Sequence, residues 1–253
     1  MATTSNQPAP PQKTPSQLKP LMRLALTEVV AVNFKISPDV LSSRVPKGLE
    51  LDFFNDETYV SLICSTYRKV PFLGLPITPR FGELSLRFYV RHPADPKNRK
   101  GTCFIKNYVS SGSGARVLGS VLNSDFRKIK MKFNNTGFQG KNEIPDVEYH
   151  WKVDDHWNKL RIRARETIKN TGPETKVGFI LDHSNHYQSF KGKTFVYRVQ
   201  KPKWTTWDAA QANFTCDVQH LFGKEFVKSL AKRPASVFVS PGSDVNIFKP
   251  TAI

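Results

Sequence analysis

Polar and apolar side chains alternate through the segment 83–91, and several of the polar ones suit acid–base or anion-binding chemistry. One parity holds Glu83, Ser85, Arg87, Tyr89 and Arg91, and the other holds Leu84, Leu86, Phe88 and Val90. Because successive side chains of a β-strand point to opposite faces, this spacing predicts a strand with one polar and one apolar face. A buried glutamate is suited to act as a general acid or base, and an arginine on the same face is suited to bind a carboxylate.

Two interpretations of this polar face are open from the residues alone. The first is an antiparallel strand whose polar face meets water, which is the commoner arrangement. The second is a strand whose polar groups line the interior of a barrel. The elements around the strand decide between them.

A second group of candidate residues is Asp182, His183 and His186. Two histidines three positions apart share one face of a helix, and with Asp182 or a distant His150 or His156 they form a hypothetical metal site. The spacing matches no recognised ligand pattern, so the sequence favours surface histidines and predicts no metal. GxGxxG, phosphate-loop and GxSxG motifs are also absent from the sequence, and no cofactor is expected.

A third candidate is the row Lys128, Lys130 and Lys132, which alternates within a strand predicted over 126–133. A solvated strand face is the simplest interpretation of this row. A polyanion-binding patch is a second, and a Schiff-base amine with a lowered pKa is a third.

The chain of 253 residues is strongly basic, with a formal net charge of +17. Such a charge attracts polyanions, but the basic residues are spread along the chain. Arg161, Arg163 and Arg165 alternate on one strand, and Lys201, Lys203 and Trp204 lie close together, without any recognised nucleic-acid motif. Nucleic acid is therefore not the expected partner.

Cysteine usage and the terminal segment bear on location. The three cysteines are odd in number and far apart, which favours a reducing compartment. Residues 1–20 are rich in Pro, Gln, Ser and Thr and predict a disordered tail without a secretory signal. No apolar run is long enough to predict a transmembrane segment. The sequence therefore predicts a cytoplasmic protein.

Strand patterns dominate the remainder of the chain. Short helices are predicted over 39–44, 115–122 and 225–230. The segment 179–190 has mixed character and is assigned as helical, and 207–213 is assigned as a short helix or turn. The other periodic segments are strands without a regular alternation of strand and helix. This pattern predicts a mainly β protein with an antiparallel sheet or barrel, and a single domain over 21–253.

Several motifs, taken in order, resemble the YqjF-like family, an uncharacterised branch of the acetoacetate decarboxylase-like superfamily. The first is the run Val45-Pro46-Lys47-Gly48-Leu49-Glu50-Leu51-Asp52, followed by Tyr59-Val60-Ser61-Leu62 and Gly74-Leu75-Pro76. The strand Phe81–Arg91 is similar to a characteristic family strand, with Ser85 where asparagine is usual. His186-Tyr187, Pro202 with Trp204, and Ser240-Pro241-Gly242-Ser243-Asp244-Val245 complete the resemblance, which extends from about Leu21 to Pro250.

The resemblance implies a cone-shaped, mainly antiparallel β-barrel that encloses a small-molecule cavity, with a few short helices outside. It implies that the polar face of the 83–91 strand points inward. Glu83 then corresponds to a cavity glutamate and is the expected acid or base. Arg87, Tyr89 and Arg127 are the expected substrate-binding residues, and the expected ligand is a small organic anion.

The chain departs from the decarboxylase pattern at the nucleophile. The decarboxylases carry a proline followed by two lysines, one of which forms an imine. Asp125-Phe126-Arg127 occupies that place here, so imine-dependent decarboxylation is not the leading expectation, and Lys128 is the alternative imine lysine. Three functions are therefore carried forward: an anion-binding protein or a lyase without the imine lysine, a lysine-imine lyase at Lys128 or Lys130, and a polyanion-binding protein. Whether the protein is an enzyme, and whether it forms a homo-oligomer, stays open.

Overall fold

The computed structural model describes residues 19–72, 75–76, 79–95, 99–138, 143–168 and 171–253, and the statements below refer to these residues. The predicted tail over 1–20 falls almost entirely outside them. Within them the chain is mainly β, as the strand patterns predict. The described strands are β1 (Met22–Ile36), β2 (Glu50–Leu51), β3 (Thr58–Arg68), β4 (Pro71–Phe72), β5 (Leu75–Pro76), β6 (Phe81–Arg91), β7 (Lys100–Val109), β8 (Phe126–Lys128), β9 (Met131–Thr136), β10 (Asp146–Val153), β11 (His156–Ile168), β12 (Asn185–Phe190), β13 (Lys193–Tyr197), β14 (Val199–Gln200), β15 (Trp207–Thr215), β16 (Ser236–Ile247) and β17 (Thr251–Ala252).

The helices are short and lie beside the sheet. They are α1 (Pro38–Ser42), α2 (Gly112–Leu122), α3 (Lys176–Asp182), α4 (Val218–Phe222) and α5 (Lys224–Leu230). The Ser111 hydroxyl caps α2 by accepting from Gly114 N at 3.1 Å, and the Thr175 hydroxyl caps α3 by accepting from Gly178 N at 2.9 Å. Both caps satisfy backbone donors that a helix start leaves unpaired.

Three sequence-based assignments are wrong in detail. The segment 179–190 divides into the end of α3 and the strand β12, and 207–213 is part of β15 rather than a helix or turn. The predicted strand over 126–133 divides into β8 and β9, with a break at 129–130. In each case the hydrogen bonds to distant strands decide the conformation, because short segments have only weak intrinsic preferences.

The described strands pair in the order β17-β13-β12-β7-β6-β3-β1-β16-β15-β11-β10-β9, with β2 beside β6, β8 beside β7 and β14 beside β16, while β4 and β5 pair separately. Most pairs are antiparallel, whereas β7–β12 and β7–β8 are parallel. No pairing among the described strands joins β17 to β9. Backbone hydrogen bonds therefore do not close the sheet into a barrel in this part of the chain.

The sheet instead curls so that one end packs across its own face. Val30 of β1, Leu62 of β3 and Leu86 of β6 are buried in one cluster with Tyr149 and Trp151 of β10. A Cβ added to Gly82 of β6 would lie 3.1 Å from the Phe133 ring of β9, so glycine permits this close approach. The apolar parity of β6 therefore faces the main core.

The opposite face of the central strands is covered by helices. Leu118 and Leu122 of α2 are buried in one cluster with Phe81 of β6. Phe179 and Ile180 of α3 are buried in another cluster on the same side, with Tyr89 of β6. The central strand β6 is consequently buried on both faces, and the helices enclose its polar side chains.

Candidate functional site

A cavity of about 140 Å³ lies between the polar face of β6 and the two covering helices. Most of its wall is apolar, including Leu118 and Leu122 of α2 and Ile180 of α3. Its charged, histidine and tyrosine side chains are Arg87, Lys201, His183, His186, Tyr67 and Tyr89. A mainly apolar pocket with a few convergent polar groups is typical of small-molecule sites.

Glu83 and Arg87 form an ion pair behind this wall. Arg87 Nη2 donates to Glu83 Oε1 at 2.6 Å, and the Ser65 hydroxyl donates to Glu83 Oε2 at 2.7 Å. Glu83 has no exposed surface, while the Arg87 side chain is 18% exposed. Arg87 borders the cavity, and Glu83 holds it from the side of the sheet. The interpretation in which this polar face meets water is wrong, because α2 and α3 cover it.

The guanidinium of Arg87 has two further contacts. Its Nε donates to the Ser85 hydroxyl at 2.9 Å, and its Cζ lies 4.8 Å from the centre of the Phe104 ring. Burial acts to lower the pKa of Arg87, but the Glu83 carboxylate together with Tyr67 and Tyr89 outweighs burial, so the pKa of Arg87 is raised. An arginine has five N–H donors, and the Glu83 and Ser85 bonds use two of them, which leaves donors for a ligand.

Tyr89 presents a neutral phenol to the cavity. Its hydroxyl contacts the hydroxyl of Ser61, which in turn donates to the side-chain oxygen of Asn33. Burial raises the pKa of Tyr89 to about 12, against the opposing effects of the Ser61 hydrogen bond and the Arg87 charge. Tyr89 is therefore a hydrogen-bonding group at neutral pH rather than a base.

His183 borders the cavity and is hydrogen-bonded to the buried carboxylate of Asp52. Its Nε2 lies 2.9 Å from Oδ2 of Asp52, and its Nδ1 lies 2.7 Å from the carbonyl oxygen of Phe179. Both partners accept hydrogen bonds, so the imidazole satisfies both only when each nitrogen carries a proton. Burial opposes the charge of Asp52, but the hydrogen bond and charge of His183 and the charge of Lys100 together lower the pKa of Asp52.

His186 is a neutral imidazole. Its Nδ1 lies 3.1 Å from the carbonyl oxygen of Thr102, and its Nε2 lies 3.4 Å from the Ser124 hydroxyl. Burial and the charge of Arg87 lower the pKa of His186 to about 3. The prediction that His183 and His186 lie on the surface is wrong, since each is only 5% exposed. The parallel pairing of β12 with β7, distant in sequence, carries His186 inward.

The hypothetical metal site is not assembled from these histidines. His183 bonds Asp52 and a backbone carbonyl, whereas His186 bonds a carbonyl and a hydroxyl. No group of three His, Cys, Asp or Glu residues suited to hold a metal occurs in the described part of the chain. The sequence-based expectation that the protein uses no metal stays a prediction.

Lys201 borders the cavity, and sequence reasoning missed it as a site residue. It lies just after β14, and its Nζ is 4.5 Å from the Trp204 ring centre and 3.5 Å from the carbonyl oxygen of Leu181. Burial lowers the pKa of Lys201, and the charge of Asp182 opposes this effect only in part. The cluster of Lys201, Lys203 and Trp204 was a visible signal, but it suggested a basic patch rather than a cavity wall.

Two predicted site residues lie elsewhere. Arg127 is exposed and donates to Asp125 at 2.8 Å, and Lys128 is exposed at the end of β8. Neither belongs to the cavity wall. Lys130 and Lys132 are exposed as well, and Arg161 pairs with Asp146 at 3.2 Å on the outer face of the sheet. The structure thus places Arg87 and Tyr89 on the cavity and Glu83 directly behind it, but not Arg127 or Lys128.

No helix in the described ranges is long and apolar enough to cross a membrane.

The fold has clear relatives among solved structures. The enduracididine biosynthesis enzyme MppR in complex with pyruvate matches with a TM-score of 0.65 and 14% identity, over 94% of each chain. An acetoacetate decarboxylase-like enzyme from Sphingomonas wittichii RW1 matches with a TM-score of 0.63 and 10% identity, over 93% of this chain and 94% of that one. Acetoacetate decarboxylase from Legionella pneumophila matches with a TM-score of 0.60 and 11% identity, over 98% and 92% respectively. These identities establish a shared fold and nothing finer.

Among curated proteins nothing matches this chain. The family model described as DUF2071, uncharacterized conserved protein (COG2071), matches residues 23–244. That range covers most of the sequence and contains every residue of the cavity wall named above. The family match confirms the resemblance to the YqjF-like family, and the solved structures show that the fold is shared with acetoacetate decarboxylase-like enzymes. The chain belongs to the DUF2071 family.

Proposed function

We propose that this protein binds a small organic anion in the cavity, with Arg87 as the group that contacts the anionic end. The observation that carries the proposal is the buried ion pair of Arg87 with Glu83, set against a mainly apolar wall. The pair holds the guanidinium in place from behind, and its remaining donors suit a carboxylate. A charge in such surroundings attracts an anion more strongly than the same charge in water does.

The other wall residues suit the remainder of such a ligand. A volume of about 140 Å³ fits a molecule of a few heavy atoms. The Tyr89 proton is donated to Ser61, so its hydroxyl oxygen is free to accept from a ligand hydroxyl, and the leucine and isoleucine side chains suit a short carbon chain. MppR, which shares this fold, has been solved with pyruvate, and a keto acid is accordingly the ligand class that we favour for this chain.

A stronger version of the proposal is that the protein is an enzyme that converts the bound anion. Glu83 as acid or base stays a prediction, because the carboxylate lies behind Arg87 and is hydrogen-bonded on both oxygens. A proton transfer at Glu83 therefore requires Arg87 or Ser65 to move or to relay. We also propose that the sheet forms the cone-shaped barrel that the resemblance implies. The packing of β9 and β10 across the central strands supports this shape.

A lysine-imine reaction is the second candidate, and Lys201 is the observation that favours it. The amine borders the same cavity as Arg87, and its lowered pKa leaves a larger fraction unprotonated than in an ordinary lysine. An unprotonated amine is the form that attacks a carbonyl. This places the imine proposal on Lys201 instead of Lys128, which is exposed.

Isothermal titration calorimetry with pyruvate and with its methyl ester tests the leading proposal. We expect the acid to bind and the neutral ester to bind at least about tenfold more weakly, since one charged hydrogen-bonding pair contributes that much. Arg87→Lys keeps the charge but loses the forked geometry, and the double variant Glu83→Gln with Arg87→Gln removes both charges without leaving one of them unpaired.

Both variants should bind pyruvate at least about tenfold more weakly than the unaltered protein. Arg163→Gln, on the exposed outer face of β11, is the control for a loss of positive charge and should bind normally. Thermal unfolding of each variant confirms that it is folded. Equal affinities for acid and ester, or undiminished binding by both Arg87 variants, would refute the proposal.

A further inference from the structure

An open cleft of about 900 Å³ adjoins the small cavity on the side of β14. The two spaces share wall residues, among them Leu181, Ser184, Val199, Lys201 and Trp204. The segment 198–204 thus separates an inner, mostly apolar space from an outer, wider one. Trp204 Nε1 donates to the Ser243 hydroxyl at 2.8 Å and attaches this segment to β16.

The charged side chains of the cleft are mostly cations. Its described wall includes Arg99, Arg198, Lys201 and Lys203, and the acidic residue there is Asp182. Arg99 is paired with Asp95, and Asp182 lies 3.7 Å from Lys100. Arg99 and Asp182 are thus each balanced by an opposite charge. The remaining cations of the cleft wall are Arg198, Lys201 and Lys203.

Arg198 has an unused donor in this wall. Its Cζ lies 4.3 Å from the centre of the Phe248 ring, which fixes the plane of the guanidinium. Its Nη2 is buried and has no hydrogen-bond partner among the described residues. That atom has almost no surface that a ligand in the cleft can reach, so what this wall offers to an anion is the positive charge of the guanidinium. The cleft wall therefore holds an oriented cation whose Nη2 has no acceptor among the described residues, beside two lysines.

We propose that the natural ligand carries a second anionic group, and that this outer cleft binds it through Arg198, Lys201 and Lys203 while Arg87 holds the first group inside. The ligand class is an elongated organic dianion, with a carboxylate at one end and a carboxylate or phosphate at the other. This inference rests on the proposed anion site at Arg87 and extends it. The inner cavity is short and shares wall residues with the cleft, so a ligand that occupies both spaces needs a chain that links its two ends.

Calorimetry with linear dicarboxylates, from adipate to dodecanedioate, tests the inference against the monomethyl ester of each. The ester has the same length but one charge fewer, so the ratio of the two affinities isolates the second anionic contact. We expect a ratio of about tenfold or more at the best chain length, as one charge-assisted contact contributes.

Arg198→Met keeps the apolar stem against Phe248 and removes the charge, and Lys203→Met removes an exposed charge with little effect on folding. In both variants the ratio should fall towards one while monoester binding stays unchanged. Lys228→Gln, which is exposed on α5, and Arg163→Gln are matched controls that should keep the full ratio. The exposed position of Lys203 keeps the test valid if Arg198→Met does not fold.

The outcomes separate this inference from the proposed function. A ratio of one at every chain length, or a ratio that survives both cleft variants, overturns the inference and leaves monoester binding at Arg87 standing. Failure of both dicarboxylates and monoesters to bind overturns the two together. A third outcome is an affinity ratio that falls in Arg198→Met while Arg87→Lys binds both ligands as tightly as the unaltered protein. That outcome supports the outer site and refutes the inner one.

Discussion

Arg87 Nη2 and Glu83 Oε1 lie 2.6 Å apart on the polar face of β6, with the carboxylate fully buried and the guanidinium at the cavity wall. The two residues are four apart in a strand, so they share a face, and the long arginine side chain reaches back along it. Burying the glutamate without this partner would be costly. The pair therefore fixes a cation where a small ligand can meet it.

Exchange of the pyruvate methyl protons with deuterium, followed by NMR, tests Glu83 as a base. We expect the unaltered protein to catalyse exchange and Glu83→Gln to lose at least about a hundredfold of the rate, as removal of a general base does. Glutamine still accepts from Arg87, so the variant should remain folded. Glu57→Gln, an exposed carboxylate paired with Lys35, is the control. Exchange by Glu83→Gln at the normal rate would remove the catalytic role from Glu83.

Borohydride reduction with pyruvate tests Lys201 as an imine-forming amine. The lowered pKa of Lys201 predicts a covalent adduct whose mass corresponds to one reduced pyruvate, located on Lys201 by peptide mass spectrometry. Lys201→Gln should abolish the adduct, and Lys128→Gln should leave it unchanged. An adduct on Lys128 or Lys130, or none at all beside a working lysine-imine control enzyme, would contradict this second candidate.

Acidification should destabilise the protein through His186. The folded pKa of His186 is about 3, below the ordinary value of 6.5, so the unfolded chain binds more protons between these limits. Stability is therefore full above the ordinary pKa and is lost as the pH falls below it. Between pH 7.5 and pH 5 the loss due to this residue should be about 2 kcal/mol.

Urea unfolding at those two pH values measures the effect. His186→Gln has no imidazole to protonate, so its loss between the two pH values should be smaller by about 2 kcal/mol. His156→Gln, at an exposed histidine, is the control and should retain the full loss. An identical pH dependence in His186→Gln and the unaltered protein would contradict the burial of a neutral His186.

Glu28 should contribute to stability far more than an exposed glutamate does. Its buried carboxylate accepts from Arg68 at 2.7 Å and from Asn135 of β9 at 2.8 Å, and it also pairs with Arg80. Glu28→Gln should lower the free energy of unfolding by about 1–3 kcal/mol, since charged hydrogen bonds are lost in a buried site. Glu57→Gln breaks an exposed pair and should cost about 0–1 kcal/mol in the same urea titration. Equal losses would show that Glu28 does not stabilise the packing of β9 on β1.

Local patterns identified the elements that carry the site. The alternation over 83–91 predicted β6, the apolar pattern over 115–122 predicted most of α2, and the order of motifs identified the family. These signals are readable because they depend on neighbours in the chain: period-two alternation, capping hydroxyls and turn residues are local properties. The prediction that the polar face of β6 points inward came from the resemblance and not from periodicity.

Other features depend on contacts between distant segments. His186 is buried because β12 pairs with β7 across more than eighty residues of sequence, as the partners His186 and Thr102 illustrate. Lys201 reaches the cavity because β14 pairs with β16 and holds the following segment against α3. Arg127 and Lys128, which the aligned motif suggested for the site, are exposed because β8 lies at the edge of the sheet beside β7.

By itself the sequence determined the mainly β class, the family and the strong positive charge. It also determined that Glu83, Arg87 and Tyr89 lie on one face of the strand β6. Only the tertiary structure decided that α2 and α3 cover that face, that His183, His186 and Lys201 join Arg87 around one cavity, and that Arg198 borders a second, outer space. The physical reason is that periodicity assigns a side chain to a face, whereas burial and charge environment depend on which distant element packs against that face.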